Sequence, residues 1–298
     1  MKGLSALFVI IWSTGFVVGR CIVPVASPNL FLTARFILAA LLFTSIALIT
    51  GARWPKWREW PTYLLNGVML NGIYLAGGYW AVAHGLLPAA MALLGAIQPI
   101  FTALISIALV RQLPGAQFWY GLVAGLVGVL LVLFPSLKPL HSFNSQGIYI
   151  MIGLLSVLSL TIGTMLQKTS DAQVDICASL ALQNVGAALF TGILAYILQE
   201  SHWQPGFVLY GSLAWASFVL SGLGTGLLVW LVRNGQVTKF ATLMYLAPPL
   251  AALESYALFG SHISPVQIAG FIVALLGVLL CYKEKTKEVT KEKTPHAT

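Results

Sequence analysis

Gln98, Thr102 and Ser106 follow Gly95 at offsets of 3, 7 and 11 residues, a spacing that puts all four on one stripe of a helix. Asn71, Tyr74 and Gly78 make a second stripe, and Thr161, Thr164 and Lys168 a third. Trp80 and Trp230 add two broad aromatic faces of the kind that meet flat or cationic molecules. Arg35 and Glu254 are the full charges well inside apolar runs. Gln98 both donates and accepts hydrogen bonds, and Tyr74 offers a ring and a hydroxyl. No cysteine or histidine spacing suggests a metal site, and no glycine loop opens a nucleotide-binding helix. The chemistry in these residues is that of reversible binding, with no catalytic set, cofactor motif or nucleic-acid partner indicated.

The elements that carry them are apolar throughout. Hydrophobic residues make up 58% of the 298-residue chain and charged residues 8%, against roughly 25% charged in soluble domains. The solvent is therefore a lipid bilayer. Runs of about twenty apolar residues are long enough to cross it as helices. The sequence predicts ten such spans: 3–19, 30–50, 62–83, 89–110, 116–134, 147–168, 175–198, 210–232, 239–259 and 265–282. Gly121 to Phe134 shows none of the alternation of a membrane strand. The fold class expected is an all-α membrane protein. A cleaved signal peptide over 1–26 is the rival for the first span, but the repeat described next needs that helix.

A shift of 150 residues brings Trp12-Ser13-Thr14 onto Ile162-Gly163-Thr164, Trp80 onto Trp230 and Pro99 onto Pro249. A shift of 149 brings Gly121 onto Gly270 and Gly128 onto Gly277, and 148 brings Ala39-Ala40-Leu41 onto Ala187-Ala188-Leu189. The expected units are a first repeat over 1–140, a second over 141–282 and a disordered polar tail over 283–298. Five spans per repeat is an odd number, so the ten helices form two inverted five-helix repeats. That is the architecture of secondary transporters, with a substrate near the midplane and alternating access to the two sides.

Thirteen Lys and Arg fall in segments on the N-terminal side of the membrane, against two, Arg20 and Lys138, on the other. This bias places both termini in the cytoplasm and accounts for the net charge of +8. The spans suit a bacterial inner membrane.

Trp12-Ser13-Thr14-Gly15-Phe16, Ala34-Arg35-Phe36, Gln98-Pro99-Ile100-Phe101-Thr102 and Pro248-Pro249-Leu250-Ala251-Ala252-Leu253-Glu254 resemble, in order and over residues 3–282, the EamA-type carriers of the drug/metabolite transporter superfamily. The match departs at Val110-Arg111-Gln112-Leu113-Pro114 and Gly260-Ser261-His262-Ile263-Ser264, where the family often has Gly-Glu-Arg-Leu-Ser. The resemblance implies a carrier of small organic metabolites, often an exporter and not an enzyme. It also implies a cavity lined by spans one, three, four, six, eight and nine. Amino acids or similar polar compounds are the expected cargo, drug-like cations the alternative. A lipid-handling protein is the reading outside solute transport.

The candidate substrate-binding residues are Trp12, Thr14, Tyr74, Trp80, Gln98, Thr102, Thr164, Trp230 and Tyr245. The polar stripes read either as a neutral cavity wall or as interhelical packing. The tryptophans read either as gates or as members of the interfacial aromatic belt. Arg35 and Glu254 each lie five residues in from the same side, about 7–8 Å deep, which permits an ion pair. Glu254 points away from the polar stripe of its span, so a structural role stands beside coupling to a proton. Expected partners are the bilayer, a small-molecule substrate and either a proton or an exchanged solute.

Overall fold

The computed structural model describes residues 2–86, 91, 94–110, 115–134, 143–168, 174–234, 243–259 and 264–292. Among them every regular element is helical, apart from one isolated bridge between Ala26 and Trp203. α1 (Lys2–Ile22) and α2 (Pro28–Ile49) come first. α3 (Trp60–Gly67) continues through a π-helical turn, Val68–Ile73, into α4 (Tyr74–Ala83). Then come α5 (Gln98–Val110), α6 (Ala116–Leu133), α7 (Phe143–Lys168) and α8 (Ile176–Ile197). α9 (Phe207–Ala214) passes through a longer π-helical stretch, Trp215–Gly224, into α10 (Thr225–Arg233). α11 (Ala247–Phe259) and α12 (Pro265–Glu292) end the chain.

Among the described residues four rods are long and apolar enough to cross a membrane: Pro28–Ile49, Gly147–Gln167, Ile176–Ile197 and Phe207–Arg233. Ala6–Ile22, Ala116–Val132 and Pro265–Cys281 are shorter apolar helices. In hydrocarbon each backbone amide needs an internal partner, and helices supply it. α12 runs on as helix to Glu292, where a disordered tail was expected from residue 283. Its Lys- and Glu-rich end is built from good helix formers, which carry the coil past the apolar stretch.

Lipid gives no hydrophobic drive for helices to associate, so close backbone packing must do it. α2 lies along α8, and α6 along α12. At the second contact a Cβ on Gly128 would overlap the Ala274 amide nitrogen, and one on Gly277 the Gly125 amide nitrogen. Only glycine allows backbones this near. Elsewhere α4 packs on α7, α1 on the Trp215–Gly224 stretch, α1 on α11 and α5 on α7. Tyr120, Val127 and Leu130 of α6 remain exposed, as a lipid-facing surface requires.

The two connections at the Arg20 end of the bundle are tied together. Ser27 donates its amide to the His202 carbonyl at 2.8 Å, and Gln204 to that of Val25 at 2.8 Å. α2 starts with Pro28, and Ser27 does not cap it. Glu200 does so from beyond the end of α8: its Oε2 accepts from the amides of Asn29 (2.8 Å) and Leu30 (3.0 Å), and its Oε1 from Asn29 Nδ2 (2.6 Å). A carboxylate here serves orphan amides and the positive end of the helix dipole. Glu200→Ala is expected to cost about 1–2 kcal/mol. Denaturant titration in lipid nanodiscs measures this, and an unchanged midpoint would refute the cap.

Candidate functional site

A cavity of about 270 Å³ opens between α1, α2, the α3–α4 rod and the π-helical stretch that leads into α10. Trp12, Asn71, Tyr74, Leu220 and Thr225 line its deep part. Arg20 and Val23, both exposed, stand at its mouth with Val82. Gly15, Gly19 and Gly78 give it width by withholding side chains. Both π-helical segments abut glycine (Gly67 and Gly72 in one rod, Gly222 and Gly224 in the other). A local change of helical register there turns Asn71 and Leu220 inward; π-helical turns often mark such sites.

Trp12 and Tyr74, two expected site residues, meet in this cavity. Phe8 packs on Trp12 with ring centroids 5.3 Å apart. Tyr79, which the sequence reading did not single out, joins them on the wall.

Arg35 also lines the cavity, with only 5% of its surface exposed. Its Nε donates to Ser221 Oγ at 2.9 Å, and Tyr74 and Tyr79 are its electrostatic neighbours. The expected ion pair with Glu254 is not formed. Glu254 sits on α11 with Oε1 2.5 Å from Ser13 Oγ on α1, and its Oε2 is buried without a partner among the described residues. Equal depth in the bundle does not fix direction: α11 faces α1, while α2 faces α8 and the Trp215–Gly224 stretch. The cavity is therefore not neutral, as expected from the stripes; it carries a guanidinium. Ser13 Oγ is also 2.9 Å from the Ile10 carbonyl. The Ser13 hydroxyl thus has two acceptors in reach, the Glu254 carboxyl and the Ile10 carbonyl.

Other expected site residues lie elsewhere. Thr14 hydrogen-bonds the Ile11 carbonyl at 2.7 Å and accepts from Trp215 Nε1 at 2.9 Å. Thr164 is buried and returns its hydroxyl to the Leu160 carbonyl. Trp80 stacks on His84 at 3.9 Å and meets Tyr149 edge-on. Trp230 packs on a core that includes Phe8, Leu160 and Leu228. Gln98 and Thr102 are buried, with their side-chain polar atoms unpartnered among the described residues, as is the Tyr245 hydroxyl. None of these lines the cavity, and neither do α7 or α11, which were expected to. α2, which was not, supplies Arg35.

Toward the opposite end of the bundle the described residues form a buried polar cluster. Gln167 Oε1 accepts from Asn66 Nδ2 and from Gln183 Nε2, both at 2.7 Å, and Gln183 Nε2 lies 2.8 Å from Ser179 Oγ. Beyond it, Asp175 donates its amide to the Arg53 carbonyl at 3.1 Å.

The model of the EamA-like transporter family matches residues 3–134 and again 147–283. The chain belongs to that family. An uncharacterized transporter of Synechocystis sp. is 25% identical over 91% of this chain and 86% of its own. The uncharacterized transporter YvbV of Bacillus subtilis is 23% identical over 93% and 90%, and a chloroplastic WAT1-related protein of Arabidopsis thaliana 23% identical over 90% and 66%. A solved protein structure shares the fold with a TM-score of 0.81, over 96% of this chain and 97% of that one, at 16% identity.

Proposed function

We propose that this protein is a secondary carrier that exports small polar metabolites, amino acids or close relatives, across a bacterial inner membrane by alternating access. Ten transmembrane helices in two inverted repeats, 1–140 and 141–282, with cytoplasmic termini, provide the frame. On this topology the Arg20 mouth faces outward.

The reading is supported by a cavity near one end of the bundle and a buried polar cluster of Asn66, Gln167 and Gln183 toward the other. The sequence offset pairs α1 with α7, α2 with α8, the α3–α4 rod with the α9–α10 rod, α5 with α11, and α6 with α12. Exchanging mates turns the α4–α7 contact into that of α1 with the α9–α10 rod, and the α1–α11 contact into that of α7 with α5. Each rod of the third pair has a π-helical segment at matching positions. The Ser27–His202 tie at one end has its mate in the Asp175–Arg53 tie at the other. Under the same exchange the cavity maps to the region of Asn66, Gln167 and Gln183, and the reading takes their hydrogen bonds as what holds that region shut in this state. Two such related halves give two related states, each open to one side.

Size favours a small cargo. About 270 Å³ lies below the ~300–1,000 Å³ of drug-sized sites. In this reading Trp12 and Tyr74 touch the cargo. Gln98, Thr102 and Tyr245 serve the state open to the cytoplasm, where their orphan polar atoms gain partners; buried polar atoms without partners are costly. Glu254 and Ser13 are candidates for coupling to a proton.

Counterflow of labelled amino acids in proteoliposomes tests the reading. Tyr74→Ala removes a ring and a hydroxyl from the cavity wall, and it is expected to raise half-saturation about tenfold, as one lost contact of roughly 1.4 kcal/mol does. Leu130→Ala, on the lipid-facing side of α6, should leave it unchanged. Counterflow that is indifferent to Tyr74, or absent for every small metabolite, would sink the reading.

A further inference from the structure

We infer that the cavity holds a subsite for an anion, and that the cargo docks a carboxylate on Arg35. This deepens the carrier reading and rests on it for the word cargo; the subsite itself does not need transport to be real.

The inference starts from a charge without a counter-charge. Arg35 is nine-tenths buried and faces the cavity, its Nε is taken by Ser221, and no carboxylate is among the cavity's described lining residues. Glu254, the acid at comparable depth, is engaged with Ser13. A buried cation without an anion is costly, and an ionisable group inside a membrane marks a functional site by default. Ser221 holds the guanidinium by one edge, which leaves the two terminal nitrogens as a planar fork. That fork fits both oxygens of a carboxylate at once.

The surroundings complete the match. Trp12, Tyr74 and Tyr79 give an aromatic wall beside the charge, and Leu75, Met91 and Leu220 an apolar one. A small molecule with an anionic head and an apolar or aromatic body meets both. Arg20 at the mouth adds positive potential on the entry path. A cationic cargo meets two arginines and no acid. The repeat places the charge in one half only, because Gln183 stands at the position that mates with Arg35 under the 148-residue shift. Ser221, the anchor of the guanidinium, is the mate of Asn71 on the facing wall under the 150-residue shift.

The test uses purified full-length protein in nanodiscs and three probes of one shape: phenylacetate, phenylacetamide and phenethylamine, with acetate and indoleacetate as further carboxylates. Binding is read by thermal shift and by calorimetry. Phenylacetate is expected to bind at least tenfold more tightly than its amide, and the amine not at all. Arg35→Gln should weaken phenylacetate at least tenfold and erase the preference over the amide. Arg35→Lys, which keeps the charge and loses the fork, should fall between. If Arg35→Gln does not fold, Arg35→Lys and the comparison of probes on the wild type decide. Equal binding of amide and acid, preference for the amine, no binding of any carboxylate at millimolar concentration, or carboxylate binding indifferent to Arg35 each overturns the subsite. Counterflow in proteoliposomes separates the two claims. A carboxylate that binds through Arg35 and is never carried removes the carrier reading and keeps the subsite. Transport that proceeds equally well in Arg35→Gln removes the subsite and keeps the carrier.

Discussion

Gly128→Leu is expected to separate α6 from α12 and to lower the melting temperature by on the order of 10 °C. The reason is backbone against backbone. A Cβ on Gly128 would overlap the Ala274 amide nitrogen and come within 2.7 Å of the Gly270 carbonyl oxygen. Neither group can swing aside as a side chain can. A Cβ on Gly277 would likewise come within 2.8 Å of the Gly121 carbonyl oxygen on the same seam, so the helices are close along its length and have no room to slide. Overpacking at a seam without slack reaches the rare class of effects near 4–5 kcal/mol, which in a chain this size corresponds to roughly 10 °C. Gly147→Ala is the control, because a Cβ there meets nothing within 4 Å. Melting of both variants in nanodiscs, followed by tryptophan fluorescence, gives the comparison. A Gly128→Leu protein that melts with the wild type would show that the seam is looser than the structure has it.

The second large effect is functional. Gln167→Leu should open the sealed end of the bundle. Gln167 Oε1 is the shared acceptor for Asn66 and Gln183, and leucine would leave two buried amide groups without it. Each stranded group costs about 1–3 kcal/mol. A state open at that end would let water reach both, so the substitution biases the equilibrium toward it. Gln183 Nε2 keeps Ser179 Oγ at 2.8 Å, so the cost is that of the Asn66 amide, and at about 1.4 kcal/mol per tenfold the shift is roughly five- to a hundredfold. Leu70 is the reporter. It is 1% exposed and is the repeat mate of Leu220, which lines the open cavity. Leu70→Cys, in a protein with Cys21, Cys177 and Cys281 replaced by serine, should be inert to a membrane-impermeant thiol reagent. Adding Gln167→Leu should make it react from the Arg53 side. Equal protection with and without Gln167 would mean that the cluster packs the helices and gates nothing.

Much of the frame was legible because bilayer physics leaves few choices. A run such as Pro28–Ile49 or Ile176–Ile197 must be a helix in lipid, whatever it touches. The glycines at 121 and 128 and their mates at 270 and 277 showed in the sequence as a spaced pair repeated at one offset. The structure gives that pattern its cause: one seam, built from both copies. Trp12 and Tyr74, picked out in the sequence by a family-like motif and a polar stripe, both lie on the cavity wall.

The site's charge was not legible. Depth along a helix can be counted from sequence, and it put Arg35 level with Glu254. Direction around the helix depends on which neighbour it faces, and that follows from contacts between residues far apart in the chain. Arg35 turns to Ser221 and Glu254 to Ser13, so a pair that looked plausible became two separate sites. Thr14 and Thr164 show the same limit: a hydroxyl on an apolar helix either faces a cavity or returns to its own backbone, and both here return. The sequence by itself determined a membrane-embedded helical protein, a duplicated pattern and a stock of binding groups, because periodicity and hydropathy are local. Tertiary structure alone decided which groups share a cavity and which meet in a buried cluster, because in lipid those outcomes rest on backbone approach and hydrogen bonds between distant segments.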